Sequence, residues 1–215
     1  MKSAAADELV QPERSEDLTV RGTILLSLKL SHKFTTKPHY IIVEFFLFIS
    51  SRKVFTMLTH PIPPVFDEHS TVLILGSFPS VKSRDAGFFY GHPQNRFWRV
   101  MSAVFGDSLP QTNDEKRSFL LRHGIALWDV IASCEIVGSA DSSIKNVTPN
   151  DLSVILSSAP IDRIFVNGKT AEMYYKKYAH PSTSRPPVCL PSTSPANAAW
   201  SLERLIDAWS VVKLN

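Results

Sequence analysis

Residues 72–98 read VLILGSFPSVKSRDAGFFYGHPQNRFW, and this stretch decides the fold. Val72, Leu73, Ile74 and Leu75 run without polar interruption and stop at Gly76. A short apolar run closed by a turn signal is a strand buried on both faces, as in a parallel sheet. The Gly-Ser-Phe-Pro-Ser that follows sets a tight loop at the strand's carboxyl end, the edge where open α/β folds hold ligands. Beyond it come Phe88, Phe89 and Tyr90, then Gly91-His92-Pro93, then Asn95-Arg96-Phe97-Trp98. Flat rings interleaved with imidazole, amide and guanidinium groups suit a nucleobase and the backbone beside it.

Working outward, short apolar strands alternate with helical stretches. Strands are expected at 72–75, 125–130, 163–166 and 188–190, and helices at 95–105, 114–122, 170–178 and 196–209. Pro149-Asn150-Asp151 reads as a further helix start, with Leu152, Ile155 and Leu156 on one face. Alternation of this kind indicates a parallel sheet covered on both faces, with every strand's carboxyl end on one edge. That edge collects residues 76–80, 128–129, 167–169 and 191–197.

Residues 1–56 read differently and form an N-terminal extension, with the functional domain over 57–215. The runs TILLSLKL and YIIVEFFLFI could pair as an extra hairpin, or the segment could be dispensable. Its apolar run over 40–49 is about half of what a membrane crossing needs and contains Glu44. No membrane association is expected. The start of the chain has neither a secretory nor a transit-peptide pattern, so a cytoplasmic location with access to chromosomal DNA is expected.

The 215 residues carry 23 Lys and Arg against 20 Asp and Glu, a formal charge of +3. From Met57 onward the balance is 15 to 14, so a nucleic-acid reading needs a local patch and cannot rest on bulk charge. Cys134 and Cys189 are too few for a four-cysteine cluster and lack metal spacing. No metal and no cofactor are expected.

Gly76-Ser77-Phe78-Pro79-Ser80, the GHPQNRFW segment and LPSTSPANA from Leu190 together resemble the uracil-DNA glycosylase superfamily, in particular its hypoxanthine-DNA (deoxyinosine) glycosylase branch. The resemblance covers about residues 57–212. It implies a three-layer α/β/α sandwich around a four-stranded parallel sheet. It also implies a metal-free monofunctional enzyme, taken as a monomer, whose partner is DNA containing a deaminated base. Phe78 stands where uracil enzymes often carry Asp or Asn, and Leu190 where many carry His. Both departures argue against an ordinary uracil enzyme. In the hypoxanthine branch the resemblance assigns the catalytic amide to Asn95.

Hydrolysis of an N-glycosidic bond passes through an oxocarbenium-like sugar, so the enzyme must hold a water and stabilise charge on the departing base. An amide at Asn95 can orient that water, or it can cap the helix that follows. Phe88, Phe89 and Tyr90 are core or platform; Phe89 is the expected stacking partner of a flipped base. Asp129 either caps a turn or accepts from the N1–H of hypoxanthine. Ser77, Phe78 and Asn167 complete the expected base-binding set. Lys169 follows Asn167-Gly168 in a backbone nest suited to a phosphate. Ser80, His92, Arg96, Ser192, Ser194 and Asn197 complete the expected DNA contacts, the serines offering hydroxyls and amide N–H groups to phosphates. His92 can equally be a structural hydrogen-bonder, and the 192–197 stretch a helix cap. The competing readings are a uracil- or mismatch-specific DNA glycosylase and a nucleotide- or RNA-binding module using the same loops without chemistry.

Overall fold

The computed structural model describes residues 56–213. The expected hairpin of the N-terminal extension lies outside the described residues. In chain order the elements are β1 (Thr56–Thr59), β2 (Val72–Gly76), α1 (Val81–Ala86), α2 (Phe97–Phe105), α3 (Asn113–Arg122), β3 (Ile125–Asp129), β4 (Ile131–Ile136) and β5 (Lys145–Pro149). Then come α4 (Ser153–Leu156), β6 (Arg163–Asn167), α5 (Lys169–Tyr174), α6 (His180–Thr183), β7 (Val188–Leu190) and α7 (Leu202–Trp209).

The main sheet has the order β3-β2-β6-β7 and is parallel throughout. Register brings the strand ends level: Gly76 lies opposite Asp129, and Leu75 opposite both Trp128 and Val166. Strand alternation sorts the apolar residues between two cores. Val72, Ile74, Ile125, Leu127 and Phe165 face a layer made by α2, α3 and α7, filled by Phe97, Met101, Phe119, Leu205 and Trp209. Leu73, Leu75, Ala126, Ile164 and Val166 face the opposite layer with Ile155, Ala171, Tyr174 and Tyr175. Burying one such side chain is worth about 1.5–3 kcal/mol, so each face stabilises the sheet independently.

Several expectations are corrected. The second strand stops at Asp129, one residue before its expected end, because the chain passes through Val130 into a different sheet. There β4 pairs antiparallel with β1 and β5. This small sheet, absent from the expected element list, carries Ile131, Cys134 and Ile136 into the second core. The closing helix starts at Leu202, not at 196. Arg96 binds the carbonyls of Ser194, Asn197 and Trp200 and so holds that segment in turns, until Ser201 accepts from Arg204 N–H and opens the helix. The aromatic-block helix starts at Phe97, after Asn95 has closed a side-chain turn. The helix expected over 170–178 begins one residue earlier and runs on through a π-helical turn (Tyr175–Ala179) into α6.

Candidate active site

The carboxyl edge of the main sheet opens into a pocket of about 470 Å³, within the range of small-ligand sites. Its walls come from the loop after β2, the aromatic block, the end of β3, the β4–β5 connection, the end of β6 and the loop after β7.

The floor is built on an approach that only glycine permits. A Cβ on Gly76 would lie 2.1 Å from Asp129 Oδ1 and 3.2 Å from Tyr90 Oη. The bare Cα lets the Asp129 carboxylate reach across the strand end. Asp129 is 4% exposed, and its Oδ2 lies 2.8 Å from His60 Nε2. His60 Nδ1 accepts from Ile62 N–H at 3.2 Å, an arrangement that assigns the proton to Nε2 and makes His60 the donor to Asp129. The imidazole is boxed by Phe78, Phe89 and Trp128, at centroid distances of 5.9, 6.0 and 6.5 Å. Asn150 Nδ2 donates to the Asp129 carbonyl at 2.9 Å and steadies the same residue from behind.

Asn95 stands on the pocket wall. Its Oδ1 accepts from Phe97 N–H at 3.0 Å, an Asx turn that meets one of the unpaired donors at the start of α2. The turn fixes the amide's orientation, and the Nδ2 donors and the second Oδ1 lone pair remain for a ligand. His92 Nδ1 accepts from Gln94 N–H at 3.1 Å, while His92 O accepts from Asn95 N–H at 2.8 Å. The imidazole thus braces the loop that presents Asn95, and it also lines the pocket.

The facing wall is stitched to β6. Asn167 Nδ2 donates to Thr193 Oγ1, and Thr193 N–H donates to Asn167 Oδ1, each at 3.0 Å. Gly168, at φ +93°, lets the chain pass Ser192, whose Cβ would be 2.8 Å from a Cβ at that position. Arg96 ties the same loop to the start of α2: its guanidinium donates to the carbonyls of Thr193, Ser194, Asn197 and Trp200.

Of the thirteen residues expected at the site, ten line this pocket: Asn95, Ser77, Phe78, Phe89, Asp129, Asn167, Ser80, His92, Ser192 and Ser194. Phe89 does so while 2% exposed, its ring doubling as core against Phe88 and His60. Ser80 caps α1, accepting from Ser83 N–H. Three lie off the pocket. Arg96 holds the loop as described. Lys169 is exposed and pairs with Glu172 at 2.9 Å. Asn197 Nδ2 donates to Ser192 O at 2.9 Å.

The family model of the uracil DNA glycosylase superfamily matches residues 63–213, which contain every pocket wall. The chain belongs to the uracil DNA glycosylase superfamily. Over 158 residues it is 35% identical to a hypoxanthine DNA glycosylase of Methanosarcina acetivorans, covering 73% of this chain and 98% of that one. Over 114 residues it is 38% identical to the protein of the same name from Methanosarcina barkeri, covering 52% and 72%. A solution NMR structure of a candidate uracil DNA glycosylase from Methanosarcina acetivorans superposes with a TM-score of 0.63 at 31% identity. That match covers 74% of this chain and 98% of the other.

Three polar residues of this superfamily member escaped the sequence reading. His60 sits in a proline-punctuated lead-in, 69 positions before Asp129. Its only local signal is a histidine followed by proline, poised for a turn. Tyr90 was grouped with the aromatic rings, yet its hydroxyl is the part buried in the floor. Asp141 lies in the β4–β5 connection and lines the pocket, accepting from Ser77 Oγ at 3.4 Å. Partial burial raises its carboxyl above the ordinary range, against the hydrogen bonds from Thr170 and Ser77.

Proposed function

We propose that this protein is a monofunctional DNA glycosylase that hydrolyses the N-glycosidic bond of a deaminated base, hypoxanthine in deoxyinosine, and leaves an abasic site. The observation that supports this reading is the oriented Asp129 carboxylate on the pocket floor, an acceptor of the kind the ring N–H of hypoxanthine needs, with Asn95 lining the same pocket. The Methanosarcina relatives named hypoxanthine DNA glycosylase support this choice of base.

The base leaves the helical stack to reach the pocket, at a cost lowest for mispaired or single-stranded nucleotides. Phe78 and Phe89 supply apolar walls. Asn95 orients a water toward the anomeric carbon, since an amide is a poor base but a good positioner. As the glycosidic bond breaks, its electron pair passes to the base, and hydrogen bonds at the pocket stabilise that charge. The water adds to the sugar cation, and the proton it sheds is balanced by protonation of the departing base through solvent, so the products are the abasic sugar and neutral hypoxanthine. Ser80, Ser192 and Ser194 hold the flanking phosphates with hydroxyl and backbone donors, Lys169, off the pocket and paired with Glu172, meets a phosphate farther along the strand, and Arg96 and Asn197 act by shaping the loop. The enzyme works as a monomer, in the cytoplasm with access to chromosomal DNA. Residues 57–215 carry the activity and 1–56 are dispensable; a chain beginning at Met57 that aggregates while the full chain is active would reverse that assignment.

The test is an abasic-site assay. A duplex with one deoxyinosine is incubated with the protein, treated with alkali and examined for strand cleavage at the inosine. A retarded but intact strand would make the protein a binding module instead.

A further inference from the structure

Two oxygens on the pocket floor have no partner within the protein. Tyr90 Oη is buried without a hydrogen bond. It sits beside the Asn167 amide, whose Nδ2 and Oδ1 are both turned toward Thr193. Asp129 Oδ1 is the atom left over once His60 has taken Oδ2. Both oxygens border the same bare Cα, that of Gly76. An unmet buried polar group is costly, and natural structures carry few of them.

Tyr90 is also held there against its backbone preference. Its φ is +53°, a region that bulky residues rarely occupy and that carries strain. Its ring stacks on Phe97 at 4.0 Å between centroids and 22° between planes. Just past it, Gly91 N–H donates to Ser83 Oγ at 3.1 Å and pins the turn. Burial above all, with the Asp129 carboxylate beside it, raises the phenol above its ordinary value, so it remains a proton donor.

We infer that Asp129 Oδ1 and Tyr90 Oη together read the lactam face of the flipped base, the carboxylate accepting from a ring N–H and the phenol donating to the adjacent carbonyl oxygen. This rests on the glycosylase reading above and specifies what that site selects. Hypoxanthine offers N1–H beside O6, and uracil offers N3–H beside O4. Adenine and cytosine reverse the order, with a ring nitrogen lone pair beside an amino group. In the same register they would set the carboxylate against a lone pair. The pair therefore separates hypoxanthine from adenine and uracil from cytosine; guanine and thymine carry the same lactam face, and the pair does not exclude them. His60 is the positioning residue: because its Nε2–H donates to one oxygen, the other must face the base.

Single-turnover excision is measured on oligonucleotides carrying deoxyinosine, deoxyadenosine, or purine 2′-deoxyriboside, which lacks both O6 and N1–H. Tyr90→Phe removes only an unpartnered hydroxyl, so it should melt at or above the parental temperature. It should nevertheless lose about ten- to a hundredfold on deoxyinosine, with a smaller loss on purine riboside. In Asp129→Asn the amide oxygen faces His60 and turns the NH₂ group toward the base. Hypoxanthine excision should then fall by about a hundredfold or more while the adenine-to-hypoxanthine ratio rises. If the parental protein excises hypoxanthine and folded Tyr90→Phe keeps its hypoxanthine-to-purine ratio within about twofold, the lactam reader is refuted and the glycosylase stands. If the parental protein releases no lactam base at all, the glycosylase reading falls first and takes this one with it.

Discussion

Replacing Gly76 by alanine tests the floor of the site at its tightest point. The new Cβ would be placed 2.1 Å from Asp129 Oδ1, whereas ordinary contact begins at 3.4 Å. The carboxylate must therefore retreat by roughly 1 Å, and a shift of that size in a catalytic site costs about a hundredfold in rate. Retreat is resisted, because Oδ2 is held at 2.8 Å by His60 and the two side chains are only 3% and 6% exposed. Overpacking alone costs about 1–3 kcal/mol. Pulling a buried carboxylate off its donor pushes the total to the upper end, about 3 kcal/mol. For a chain of this size that corresponds to a melting temperature lowered by about 6–12 °C. Thermal unfolding by circular dichroism and single-turnover excision of deoxyinosine measure the two consequences separately. Gly76→Ala with parental melting and a parental rate would refute the close approach and, with it, the placement of Asp129 on the floor.

Further outcomes follow from the walls and the periphery. Asn95→Ala should lose about a hundredfold or more in excision and about 1 kcal/mol of stability, while Asn95→Asp keeps the Asx turn and the stability. An Asn95→Ala protein that excises at the parental rate would leave Asn95 as a turn residue only. Arg96→Ala removes the side-chain donor from four carbonyls and leaves that of Trp200 without one, so proteolytic nicking within 193–200 should speed up and excision should fall; an unchanged cleavage pattern would show that the loop holds itself. Asp107 is held below the ordinary carboxylate range by Arg122 first, then His123. A depressed folded-state value means stability present above the ordinary value of about 3.9 and lost as pH falls below it. Melting temperature followed through acid pH should therefore decline less steeply in Asp107→Asn than in the parent, and identical slopes would remove Asp107 from the account.

The main sheet was legible because its strands are continuous apolar runs ending in polar or glycine signals, and because their order along the chain alternates with helices. The small sheet was not. Its strand β4 follows β3 after the single residue Val130, so one apolar run conceals two strands in different sheets. Strand β5, Lys-Asn-Val-Thr-Pro, has no fully buried residue to betray it. Pocket residues on the motif loops were readable from residue type and position. The supporting contacts were not, because His60 and Asp129, or Arg96 and Trp200, meet across 69 and 104 positions. Nothing local distinguishes an arginine that grips phosphate from one that grips carbonyls. The φ of Tyr90 was equally hidden, since the turn that imposes it depends on Gly91 crossing under α1.

The Arg96 clasp has a mechanical consequence. It joins the first turn of α2, next to Asn95, to the loop bearing Ser192 and Ser194, so the amide and the hydroxyls ride on one rigid unit. Their separation is preset like the jaws of a fixed-gauge tool. On the proposed roles, with a phosphate at Ser192 and Ser194 and the sugar before Asn95, a nucleotide would have to match this preset span to engage both. The deformation needed to reach that span would then come from the DNA, and local duplex weakness would become a component of substrate choice that no contact with the base supplies.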